Sequence, residues 1–178
     1  MRPHAFVALL SAALLPVVAH AACEPLIAAY DKADATQRYA LYEVDAFAQA
    51  VKGDPLVVVI GDSEYAQQYD SKKGYAKNGY LKTSHRQGFE GGRLKDNEKR
   101  GSMRCEPLGE RKIGSEAVVG YRTSDATKKK GTPDPSAMDV WVSKATGLPL
   151  VHGMASEDGG FRWVYGSAVV APAAGAGK

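Results

Sequence analysis

Few residues in this chain combine the type and spacing that catalysis needs. A Ser or Cys nucleophile normally recruits a histidine as base, and beyond residue 21 the histidines are His85 and His152. Neither stands in a nucleophile motif, and a lone histidine is more often structural or solvated. No H-E-x-x-H, C-x-x-C or clustered Asp/His spacing occurs, so no metal ligand set is expected. Asp62 and Glu64 flank a turn, where an Asp ordinarily bonds its local backbone. Gly88, Gly91 and Gly92 lack the strand-to-helix setting and the Gly-Lys-Ser/Thr run of a phosphate-cradling loop. Neither an enzyme nor a cofactor is expected, and a noncanonical site around His85 or His152 ranks third among the readings.

The cysteines are Cys23 and Cys105, and their meaning depends on what precedes them. Arg2 and His4 give a basic start, Ala5 to Leu15 an apolar run broken by Pro16, and Ala19-His20-Ala21 a small-residue cleavage pattern. That is the layout of a secretory signal peptide over residues 1–21, cleaved before Ala22. A transmembrane anchor needs about 20 continuous apolar residues, and this run is shorter. Lipid attachment at Cys23 would want a Leu-like residue where His20 stands. Two cysteines in an exported chain suit one structural disulfide, Cys23–Cys105.

The chain of 178 residues carries a formal net charge of +3, and Arg2 leaves with the signal peptide. So near-neutral a protein has no general affinity for nucleic acid, and residues 22–171 suit a single domain. Between Lys72 and Lys112, however, twelve Lys and Arg stand against five Asp and Glu. One reading is a surface facing anionic lipid headgroups or an acidic partner. The other is solvated hairpin tips and edges, where Lys discourages strand pairing, and the scatter of these charges among glycines favours it.

These residues must be carried by some framework. Leu26, Ile27, Tyr30 and Ala33 recur at helical spacing and predict a short amphipathic helix over Cys23–Asp34. From Arg38 the period becomes two, which predicts a strand; Ala46 to Val51 reads equally as a helical turn. Pro55 to Ile60, Gly61-Asp62-Ser63 and Glu64 to Tyr69 form a hairpin signature, whose first strand should be covered on both sides. Asp70–Gly79 and Gly88–Met103 look like loops around a weak strand near Tyr80–Arg86. Ile113 to Arg122 alternates as one strand, and Ser124–Ala137 reads as a long exposed connection. Met138–Ser143, Leu148–Met154 and Phe161 to Val170 form a three-strand meander, followed by a disordered Ala/Gly tail over 172–178.

Phe161, Trp163 and Tyr165 share one face of the last strand. They are either ordinary core or one wall of an apolar cavity.

Three ordered pieces carry a family resemblance: Cys105-x-x-Leu108-Gly109, Ile113-Gly114-Ser115-Glu116-Ala117-Val118-Val119-Gly120-Tyr121, and the tryptophan strand from Val140 to the Gly147-Leu148-Pro149-Leu150 turn. Val57-Val58-Val59-Ile60-Gly61-Asp62-Ser63-Glu64-Tyr65 looks similar to an earlier hairpin of the same group. Together they resemble the periplasmic proteins of LolA/LolB-like fold, related to outer-membrane lipoprotein-sorting proteins. The resemblance implies an α+β fold, mainly antiparallel β. Its sheet would be a strongly curved, unclosed barrel with an N-terminal helix and minor helical segments. It also implies a periplasmic location and a concave side that holds acyl chains without catalytic residues. The candidate ligand-binding wall is Val57, Val59, Trp141, Phe161 and Trp163. The expected function is non-catalytic binding of an apolar or acylated ligand, a lipid or lipoprotein acyl chain. The alternative is a periplasmic interaction module with a solid core that docks on a protein or membrane surface.

Overall fold

The computed structural model describes residues 23–70, 74–155 and 157–172. The expected signal peptide, and the expected tail beyond Pro172, lie outside these residues. Helix α1 spans Glu24–Thr36, with Pro25 in its first turn and Glu24 at its positive end. It buries Leu26, Ile27, Ala29 and Ala33 and stops at Gln37, whose φ of 49° is left-handed. Strands β1 (Arg38–Val44), β2 (Val57–Ile60), β3 (Ser63–Asp70) and β4 (Gly74–Ser84) follow, then helix α2 (Phe89–Lys99). The remainder is β5 (Met103–Ile113), β6 (Glu116–Asp125), β7 (Met138–Ser143), β8 (Pro149–Met154) and β9 (Gly160–Tyr165).

The nine strands among the described residues form one antiparallel sheet in the order β4-β3-β2-β1-β9-β8-β7-β6-β5. Two meanders meet where β1 pairs with β9, so the first and last strands lie at the centre. The outer strands β4 and β5 do not pair with each other, and the curved sheet stays open. This is the α+β, mainly antiparallel, unclosed architecture that the sequence led us to expect.

Pairing register assigns the faces. Tyr39, Leu41, Val57, Val59, Trp163 and Val140 point to the side that carries the helices, where Ala33 packs against Val59 and Ile27 belongs to the cluster of Val140. On the convex side, Ala40 and Val58 are covered by Val169, while Trp141 and Val151 cluster with Phe47 and Val51. Both faces of β2 are therefore buried, one by a helix and the other by the segment after β9. Cys23, just before α1, is disulfide-bonded to Cys105 in β5 across a Cα–Cα distance of 5.1 Å.

Four local expectations need correction. Gly88–Met103 is not a loop, because α2 occupies most of it. Two glycines in this helix cost about 1 kcal/mol each against alanine, so its support is tertiary. Leu94 is buried against α1, and Gly91 sits so close to Asp31 that a Cβ there would overlap its carboxylate. The run Ile113–Arg122 is not one strand either; Gly114, at φ 61°, turns the chain between β5 and β6. The expected loop Asp70–Gly79 mostly continues β3 and β4, which pair across the irregularity between Gln67 and Tyr69. Finally, β9 ends at Tyr165, where Gly166 at φ 89° redirects the chain so that Val169 can cover the convex face.

Candidate ligand cavity

Curling one sheet around two helices leaves space at the open side. A cavity of about 910 Å³ lies there, and every one of the nine strands contributes a residue to it, as do both helices. Small-molecule sites commonly measure about 300–1,000 Å³. Its apolar wall includes Tyr30, Leu41, Val57, Met138, Val140 and Trp163. Trp163 is central to this wall: its ring lies 4.9 Å from that of Tyr39 and 6.0 Å from that of Tyr30. Burial pushes the phenols of Tyr30, Tyr39 and Tyr165 well above their ordinary value, so these rings stay neutral.

His152 is the polar member of the aromatic wall. The Trp163 indole N–H donates to His152 Nδ1 at 2.9 Å, which places the ring proton on Nε2. Burial lowers its pKa to about 4, so the imidazole is neutral at pH 7. It offers the cavity an uncharged ring.

The other polar group comes from three separate elements. Asp34 lies in the last turn of α1, Glu64 in β3, and His85 immediately after β4. His85 Nδ1 stands 3.1 Å from Glu64 Oε2, and its Nε2 lies 3.6 Å from Asp34 Oδ1. The ring is 6% exposed, and Nε2 is buried without a hydrogen-bond partner among the described residues. Asp34 accepts the Gly88 N–H at 2.7 Å, which ties the start of α2 to the end of α1. Burial raises the Asp34 carboxyl above its usual range, against the lowering effects of the Gly88 amide and His85. Nearby, Arg93 is paired with Glu90 at 2.8 Å, and Arg86 stands exposed at the rim.

The five wall candidates read from the sequence are distributed unevenly. Val57 and Trp163 line the cavity. Val59 is on the same face but is fully buried against Ala33. Phe161 also shares that face, its ring 5.0 Å from His152, outside the lining. Trp141 stands on the convex face, clustered with Val44, Phe47 and Val151, with the Arg111 guanidinium 4.0 Å from its ring. Sequence reading did not bring Asp34, Glu64 and His85 together, because 51 residues separate the first from the last and no motif links them. The one available signal was that His85 is one of few histidines.

Among the described residues, no group of three or more His, Cys, Asp or Glu is placed to hold a metal ion. No helix among them is long and apolar enough to cross a membrane. No protein-family model matches this chain, and neither does any curated protein.

Proposed function

We propose that this is an exported, non-catalytic binding protein that holds an elongated apolar ligand, a lipid or acyl chain, inside the curved sheet. The observation that carries the reading is the cavity to which all nine strands contribute, with Trp163 and its aromatic neighbours as the inner wall. Ligand sites of this kind are mostly apolar, with a small number of placed polar groups, and Asp34, Glu64, His85 and His152 supply them here. The resemblance to LolA/LolB-like periplasmic proteins supports the same reading at the level of fold, which alone never fixes function. Export and a periplasmic location are supported by the signal-peptide pattern of residues 1–21 and by the disulfide, a bond that persists in oxidising compartments. Four of the twelve basic residues in that region are ion-paired (Arg93 with Glu90, Lys95 with Asp31, Arg104 with Glu106, Arg111 with Asp158), so part of its charge is already neutralised against the rival reading of a charged docking surface.

Native mass spectrometry of the protein recovered from the exported fraction, followed by organic extraction, tests this. An extractable apolar mass bound one to one is the expected result, on a chain beginning at Ala22. A clean unliganded mass under gentle ionisation would overturn the carrier reading.

A further inference from the structure

The cavity's buried polar end has an unusual chemistry. His85 Nε2 and Asp34 Oδ1 are neighbours at 3.6 Å, too far apart to satisfy each other. Each belongs to a nearly buried side chain, 6% exposed for His85 and 12% for Asp34. Glu64 accepts from Nδ1–H, the tautomer in which Nε2 is the acceptor. Asp34 receives the Gly88 N–H on its other oxygen. Two acceptors thus face the same end of an apolar cavity, and His85 Nε2 has no partner there among the described residues.

We infer that the ligand carries a hydrogen-bond-donating head, an ammonium or a hydroxyl, that inserts between Asp34 and His85, and that a carboxylate head is disfavoured there. This rests on the carrier reading and sharpens it from an apolar chain to a class of amphiphile. A primary ammonium donates to both acceptors at once. A hydroxyl donates to one of them. A carboxylate brings no donor, and it meets the charges of Asp34 and Glu64 in a poorly hydrated place. Arg86 does not reverse this preference, because it is exposed at the rim, where ion pairing contributes little.

The test is the affinity of the purified protein for dodecylammonium, dodecanol and dodecanoate at pH 7, each below its micelle concentration. The two donor-headed chains are expected to bind about tenfold or more tightly than dodecanoate, the effect of one satisfied buried hydrogen bond. His85→Phe keeps the ring and removes the acceptor, so it should weaken the donor-headed chains and leave dodecanoate unchanged. A preference for dodecylammonium alone assigns recognition to the Asp34 charge, and an equal preference for dodecanol assigns it to hydrogen bonding. Should His85→Phe fail to fold, Asp34→Asn carries the test: the ammonium loses affinity and dodecanoate gains it. Dodecanoate binding as tightly as either donor-headed chain overturns the inference and leaves the carrier reading standing. No binding by any of the three overturns both.

Discussion

Trp141 and Trp163 sit in the same meander on opposite faces of the sheet, so substitutions there should separate stability from binding. Trp141 lies across Gly120, its register partner in β6, and a Cβ at Gly120 would overlap the indole. Trp141→Ala should cost about 3–5 kcal/mol of unfolding free energy, as for other large buried aromatics, without changing affinity for an apolar ligand. Gly120→Val should destabilise by roughly 1–3 kcal/mol through overpacking against the same ring. Urea unfolding and a binding isotherm on each variant check both claims. The aromatics themselves were legible in the sequence, but the facing of Trp141 was not. Alternation assigns faces only within a strand, and the β7–β8 register shifts between Trp141 and Val142. His152 couples stability to pH. Its folded pKa of about 4 lies below the ordinary value of about 6.5. The unfolded chain therefore binds the extra proton first, and stability falls as pH drops through that window. The loss should reach roughly 3 kcal/mol at pH 4. Asp34, whose carboxyl is raised by burial, contributes with the opposite sign, so the comparison is wild type against His152→Gln. The variant should lose less stability between pH 7 and pH 4; equal losses would remove His152 as the cause.

Among the elements, those whose burial imposes a period are legible in the sequence, and those held by distant contacts are not. Helix α1 and the strands of the last meander announced themselves through apolar spacing. Helix α2 did not, because its glycines and charges are tolerated only through Asp31, Asp34 and Leu94. The connection Ser124–Ala137 reads as an exposed run, yet Asp134 organises it. Its carboxylate, 5% exposed, accepts from the Asp125 and Ser136 amides, the Ser136 hydroxyl and Lys128 Nζ. Those donors hold it well below the usual carboxylate range. Asp134→Ala should free this segment, seen as faster cleavage by trypsin after Lys128, Lys129 or Lys130 with a nearly unchanged far-ultraviolet spectrum. An unchanged cleavage rate would show that the turn holds without its hub. The disulfide links Cys23 to β5 over a sequence separation of 82 residues. Replacing both cysteines by alanine should lower unfolding free energy by about 2–5 kcal/mol.

In the whole molecule, the cavity depends on how the sheet is ordered. Placing β1 beside β9 brings the two meanders together, and the curl then lets Glu64 in β3 and Met103 in β5 face one cavity. No stretch of sequence contains that information, since the contacts between β1 and β9 join opposite ends of the chain. The fold class was accessible through the resemblance and through strand patterning. The polar end of the cavity was not, because it is assembled from the last turn of one helix and two positions around the hairpin. Ligand binding on the concave face can be measured directly, because the chain's two tryptophans stand on opposite faces of the sheet. In Trp141→Phe the remaining indole, Trp163, lines the cavity; in Trp163→Phe the remaining indole, Trp141, lies on the convex face. Titration with dodecanols brominated at successive carbons, whose bromine quenches at short range, should include one that quenches the first variant to saturation at one equivalent and none that quenches the second. Equal quenching of both, or of neither, would contradict a ligand held inside the curved sheet.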